Sequence, residues 1–315
     1  MMLPQKFGWF NCVNEFGTLP DTLAKKEGIV VMLMMLMYHR ILPYEHPQAI
    51  SISQFNAQLD YLEKHYSFLT PEEVVSYIRG ELKDSSRPYA ALSFDDGWCD
   101  NHLFATDILK ERRLRAVCAV SAGYLYDGCV RREETADVLN RSMDDAQKAA
   151  AAGDFRSYAS IQELKEMAAS GVWRLEAHGT CHIKGDSNCS ILSVPQKDET
   201  LDAYRSRLKN DIQSCRIQLK EKLGVETEMF FWPWGHWSTA GVETVKELGL
   251  LQFTVSKGAI RRGSSAELLP RVGVSPKWKK FRKNCFVFRH PVLAGLHDLF
   301  HTEKVCFDNI VESMQ

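Results

Sequence analysis

Two adjacent carboxylates, Asp95 and Asp96, stand in the string Ser93-Phe94-Asp95-Asp96-Gly97, and two imidazoles four residues apart stand in His178-Gly179-Thr180-Cys181-His182. Neighbouring side chains of an extended backbone point to opposite faces, so two such anions converge only where the chain turns, and Gly97 turns freely. Once close, they repel each other unless a cation or a proton intervenes. The histidine spacing places both rings on one side of a helical turn or tight loop. Two imidazoles and a carboxylate suit Zn²⁺ and related divalent ions, and three protein ligands leave one coordination position open. Each string alone has a plainer reading, a solvated Asp-Asp-Gly turn and a lone H-x-x-x-H. Together, each supplies what the other lacks: the carboxylates gain a cation and the histidines gain an acid ligand.

Both strings follow short apolar runs, Tyr89–Leu92 and Val172–Ala177, that read as buried strands. A third run, Ile29–Met37, is apolar without alternation, as in a central strand covered on both faces, and it leads into Tyr38-His39-Arg40. His39 then sits at a strand's carboxyl end, where barrel enzymes place their chemistry, or is a half-buried histidine satisfied by local backbone. Between the strands lie helical patterns: Ser53–His65 behind a Ser cap, Thr70-Pro71-Glu72-Glu73 opening a helix to Gly80, Asn101–Glu111, Ser160–Ala169, Leu201–Leu223 and Thr239–Leu248. Further strands are expected at Ala116–Val120, Met229–Trp232 and Leu251–Val255. This alternation predicts a parallel α/β architecture. Residues Asp127–Ser157 are polar and Ala-rich, and read as a mobile insertion serving as a lid or as a solvated surface helix.

The 315 residues carry a formal net charge of −1, which gives no support for nucleic-acid binding through a global field. The nine cysteines include no C-x-x-C pair, so reduced thiols are expected. Met1–Gly28 has no apolar h-region and reads as an irregular extension, and no apolar run is long enough to span a bilayer; a cytoplasmic location is expected. The expected organisation is an extension over 1–28, a barrel domain over 29–278 and a tail over 279–315 packed on the barrel.

Ser93-Phe94-Asp95-Asp96-Gly97 resembles the T/S-F-D-D-G motif of the polysaccharide deacetylases, the NodB-homology family of carbohydrate esterases. His178-Gly179-Thr180-Cys181-His182 is similar to that family's H-S/T-x-x-H motif, and Phe231-Trp232-Pro233-Trp234-Gly235 to its third motif. The resemblance implies a distorted (β/α)₇ barrel that removes N-acetyl groups from N-acetylhexosamine units of a glycan or glycan precursor. It assigns a divalent metal, Zn²⁺ or else Ni²⁺, Co²⁺ or Fe²⁺, to Asp96, His178 and His182. Asp95 becomes the general base, and Pro233 and a backbone N–H near Trp234 serve the oxyanion. The chain departs from the pattern at Gly179, in place of Ser or Thr, and in lacking an Arg ahead of Pro233. Leu296-His297-Asp298 imitates the family's late acid motif, but Leu36-Met37-Tyr38-His39 resembles the poly-N-acetylglucosamine branch, in which that motif stands near the N-terminus. Leu269-Pro270-Arg271-Val272 also fits that branch, and His39 is the expected general acid.

Trp232, Trp234 and Trp237 suggest a sugar-stacking wall or core packing, and Trp98 a second groove residue. Cys99 and Cys181 flank the proposed ligands as extra ligands, reactive thiols or inert buried thiols. Two rival functions remain: an amide hydrolase for a small or peptidoglycan-like substrate, and an inactive carbohydrate-binding barrel. The latter gains nothing from an unligated buried carboxylate.

Overall fold

The computed structural model describes residues 31–82, 85–184 and 189–300. The expected extension over residues 1–28 lies outside them. The strands are β1 (Met32–Tyr38), β2 (Ile41–Leu42), β3 (Ile50–Ser51), β4 (Ser67–Phe68), β5 (Tyr89–Phe94), β6 (Ala116–Val120), β7 (Trp173–Ala177), β8 (Met229–Phe231), β9 (Leu251–Phe253), β10 (Ile260–Arg261) and β11 (Val272–Gly273). The helices are α1 (Ile52–His65), α2 (Pro71–Ile78), α3 (Thr106–Glu111), α4 (Ala136–Leu139), α5 (Met143–Ala151), α6 (Ile161–Ala169), α7 (Leu201–Leu223), α8 (Thr239–Glu247), α9 (Trp278–Arg289) and α10 (Pro291–Phe300).

The main sheet runs β10-β1-β5-β6-β7-β8-β9, parallel from β1 to β9, with β10 antiparallel on β1. Leu269 bridges Phe253 of β9 in parallel, and β11, three residues later, pairs in parallel with Leu36 and Met37 of β1. The 269–273 segment is therefore the last stave and brings the sheet round on itself, giving the distorted (β/α)₇ barrel that the resemblance implies. The non-alternating run of β1 is explained by burial on both faces. Leu33 and Met35 join the interior with Val117 and Phe231, whereas Met34 and Leu36 pack outward with Phe55 and Leu59 of α1.

Helix ends follow local chemistry. The cap of α1 is Ser51 rather than Ser53, and its side chain accepts from Gln54 N–H while Gln54 reaches back. Thr70 and Ser160 close the same reciprocal box on α2 and α6. Gly224 ends α7 in the left-handed region at φ 72°. The turn before α3, Asn101–Ala105, is a π-helix rather than the start of one regular helix.

The barrel's carboxyl end is tied together by a buried ion pair. Arg40, directly after His39, donates through Nε to Asp100 at 2.8 Å, and both side chains are fully buried. The other oxygen of Asp100 accepts from Ile41 N–H. Arg40 also donates to the carbonyls of Leu139 and Arg141, which pins the 127–157 insertion to the barrel. Arg131 adds bonds to Glu163 and Glu134, and Arg141 pairs with Asp154. With Val138 and Ala146 fully buried, the insertion is a packed flank of the barrel mouth, not the solvated helix or loose lid its polarity suggested. Removing one partner of a buried pair leaves an uncompensated charge. Asp100→Ala is therefore expected to lower unfolding free energy by about 3–5 kcal/mol, read as a lower urea midpoint at unchanged slope. A loss below about 1 kcal/mol would contradict this role for the pair.

Candidate metal centre and active site

Asp95 and Asp96 leave the carboxyl end of β5, where Asp96 and Gly97 take consecutive left-handed conformations, φ 73° and 74°. The turn thus begins one residue before the glycine, at a residue type that tolerates it. It breaks the strand alternation and leaves both carboxylates buried at the barrel end. His178 follows β7, and a tight loop rather than a helical turn carries the chain to His182. Gly179 in that loop has φ 77°, and a Cβ there would stand 2.7 Å from Leu192 Cδ2. This explains the departure from Ser or Thr at the position. Asp211 of α7 fastens the loop by accepting from the N–H groups of Thr180 and Cys181 at 2.7 and 2.9 Å.

The geometry brings Asp96, His178 and His182 together with ligand atoms within 4.8 Å of one another, all buried. Asp96 Oδ1 lies 3.3 Å from His178 Nε2 and 3.1 Å from His182 Nε2. His178 Nδ1 is 2.8 Å from the carbonyl oxygen of Phe231, which only accepts, so Nδ1 carries the proton. In its neutral form the ring then turns a bare Nε2 toward Asp96 Oδ1, itself a buried atom with no hydrogen-bond donor. Acceptors facing acceptors in a buried site call for a cation, and the residues present fit a divalent metal. Burial, the first cause, together with His178 lowers the His182 pKa to about 4 against the opposing charge of Asp96, so the ring is neutral and fit to ligate at pH 7. Burial alone would lower His178 as well, but the two aspartates beside it, Asp96 foremost, favour a positive charge there and raise it, the same demand that a divalent ion at the centre of the cluster would meet.

The other oxygen of Asp96 accepts from Trp98 Nε1 at 2.9 Å. Trp98 is 1% exposed, stacked on Tyr158 and capped by the Arg40 guanidinium 4.5 Å from its ring. It orients the Asp96 carboxylate and does not line a groove. Gln147 of α5 lies 3.3 Å from His182 Nδ1, and a turn of its amide offers oxygen to the Nδ1–H of a ligating ring.

Asp95 is held differently. Arg271, fully buried, donates to both its oxygens at 2.6 and 2.8 Å, to Ser93 Oγ and to Thr254 O, and lies over the Phe231 ring. Burial would raise the Asp95 pKa, but the charge and hydrogen bonds of Arg271 bring it below the usual carboxylate value. The arginine absent before Pro233 is thus replaced from the last stave. In the sequence Arg271 stands out only as part of Leu269-Pro270-Arg271-Val272, with nothing beside it to reveal its task. The available signal was a lone arginine inside an apolar stretch, a buried charge that needs a carboxylate.

His39 follows β1, is half-buried, and stands within electrostatic reach of Asp95, Asp96 and His182. It lines a groove of about 330 Å³ with Met37, Gln48, Met143, Gly273 and Pro276. His297 lies on α10 with its ring against Phe288, not at the end of a barrel strand. Pro233 is buried and Trp234, at φ 60°, half-buried in the single turn after β8. The Trp234 ring lies 5.1 Å from His182 and carries Lys184 Nζ at 3.9 Å. The suggested aromatic wall reduces to Trp234, since Trp232 and Trp237 belong to the core. Cys99 is buried and its thiol pKa pushed up by that burial, while Cys181 is half-buried; neither joins the ligand cluster.

The protein family described as polysaccharide deacetylase matches residues 82–253, more than half of the chain. The poly-β-1,6-N-acetyl-D-glucosamine N-deacetylase of Escherichia coli K12 is 24% identical over 204 residues, covering 60% of this chain and 28% of that protein. The chain therefore spans little more than a quarter of that relative. The protein of the same name from Staphylococcus aureus N315 is 24% identical over 232 residues, 72% of this chain and 68% of that one. Among solved structures, IcaB from Ammonifex degensii superposes with a TM-score of 0.62 at 27% identity, covering 78% of this chain and 93% of that chain. A de-N-acetylase from Aggregatibacter actinomycetemcomitans shares the fold, with a TM-score of 0.64 at 17% identity over 80% of this chain and 99% of that chain. With the barrel and its three motifs in place and more than half its length matched, the chain belongs to the polysaccharide deacetylase family.

Proposed function

We propose that the chain is a divalent-metal-dependent de-N-acetylase acting on N-acetylglucosamine units of a glycan, with a poly-β-1,6-N-acetylglucosamine-like polymer as the substrate class. The observation that carries this reading is the pairing of a buried Asp-His-His acceptor cluster with a second, ionised aspartate held outside it by Arg271. The names of the relatives support the choice of glycan. Two imidazoles and one carboxylate favour Zn²⁺.

Asp96, His178 and His182 would hold a divalent ion, which would supply an acidified water and a Lewis acid for the acetamide carbonyl. Asp95, kept ionised by Arg271, accepts the water's proton as general base. His39, on the groove wall, gives a proton to the departing amine. Trp234 N–H stands in the first turn after Pro233, where backbone donors lack helical partners, and it serves the oxyanion. The groove beside His39 receives the glycan chain, and the half-buried Trp234 ring offers a stacking face. An inactive binding barrel is disfavoured because it has no use for a buried ionised carboxylate outside the ligand set.

Amine release from β-1,6-linked N-acetylglucosamine oligomers tests the reading. Asp95→Asn is expected to lower kcat/KM by about 10²–10⁴ while the zinc content is retained. Wild-type protein that binds the oligomers but holds no metal and releases no amine would establish the binding barrel instead. Without Arg271, burial is left to raise the Asp95 pKa, and the base works only when deprotonated. Arg271→Met is therefore expected to move the acid limb of kcat/KM to higher pH, and an unmoved limb would contradict the role given to Arg271.

A further inference from the structure

No acidic residue occurs between Glu267 and Asp298, while this stretch holds Arg271, Lys277, Lys279, Lys280, Arg282, Lys283 and Arg289. Arg271 is spent on Asp95 inside the barrel. The other six lie on α9 or immediately before it, and none has a carboxylate partner among the described residues. A chain with a net charge of −1 thus concentrates six uncompensated positive charges within thirteen residues.

The helix is amphipathic. Phe281, Cys285 and Phe288 form the buried face, and Lys279, Lys283 and Phe286 share the opposite one. Apolar side chains stand out among the cations: Trp278 is 42% exposed and Phe286 43%, and on α10 Val292 is 74% and Leu296 47% exposed. Further cations gather alongside. On α1, His65 is held below its ordinary pKa by partial burial and by the charges of Arg289, Lys64, Arg282 and Arg87. Pro276, directly before Lys277, lines the groove beside His39, so the cationic surface begins at the edge of the candidate active site.

We propose that the outward face of α9, extended by the exposed apolar residues of α10, docks the protein on an anionic lipid bilayer. Unpaired lysines and arginines complement acidic headgroups. A tryptophan with interleaved Phe, Val and Leu suits the headgroup–acyl boundary, whereas a polyanion such as nucleic acid or an acidic polysaccharide offers no apolar layer for them. Docking in this way holds the groove beside His39 close to the membrane surface.

Sedimentation of the full chain with lipid vesicles tests the proposal. Vesicles containing about one-third phosphatidylglycerol are expected to carry the protein down, pure phosphatidylcholine vesicles are not, and binding should weaken as salt shortens the screening length. Lys279→Glu with Lys283→Glu is expected to reduce partitioning tenfold or more, on the scale of about fivefold per cation. Amine release from soluble oligomers should be unchanged, which also shows that the variant is folded. Phe286→Ser is expected to reduce the binding that persists at high salt. Equal binding to neutral and anionic vesicles, wild-type binding by the double variant, or binding to heparin with none to vesicles would each overturn the proposal. Salt titration of the wild-type protein measures the electrostatic share of binding without recourse to any variant, and binding unaffected by salt would likewise overturn it.

Discussion

The structure depends on a confrontation of lone pairs. Asp96 Oδ1 and the Nε2 atoms of His178 and His182 meet at 3.3 and 3.1 Å in a site almost closed to water. One of the rings is fixed by the Phe231 carbonyl as the tautomer that cannot donate inward. Such a cluster is costly without a positive charge at its centre, and most of the surrounding side chains serve to keep it in place. Trp98 takes the spare oxygen of Asp96, Asp211 fastens the loop between the histidines, and Gln147 meets the outer nitrogen of His182. Arg40 connects these supports, since it caps Trp98, pairs with Asp100 and holds the insertion that carries Gln147.

Two aspartates adjacent in sequence end with opposite tasks because their neighbours differ. Asp96 faces imidazoles, while Asp95 faces a guanidinium that occupies both its oxygens and keeps it ionised despite burial. Arg271 comes from the stave that completes the barrel, so closure of the fold and the ionisation of Asp95 have one structural source. A barrel left open at that edge would lose both.

What was legible in the sequence was local. The apolar run of β1, the turn after Phe94, the histidine spacing and most helix caps follow from residues a few positions apart, whose chemistry a single string displays. The Asp-Asp and His-His pairs, although far apart in the chain, were joined by their shared need of a cation. What was not legible required partners distant in sequence and neutral in appearance. Arg271 meets Asp95 across 176 positions, and no pattern near either residue names the other. Trp98 looked like a groove aromatic because its indole N–H partner becomes apparent only once the turn at Asp96 is built. The insertion looked solvated because its polar residues are there, but Arg131 and Arg141 spend their charges inward on Glu163 and Asp154.

The most direct measurement is X-ray absorption at the zinc edge on the zinc-loaded chain. The expected first shell holds two imidazole nitrogens near 2.0–2.1 Å with oxygen neighbours at about 2.0–2.2 Å, and no sulfur near 2.3 Å. Imidazole scattering should fall by half in His178→Ala. A sulfur neighbour, which would point to Cys181, or a spectrum unchanged in His178→Ala would contradict the proposed ligand set.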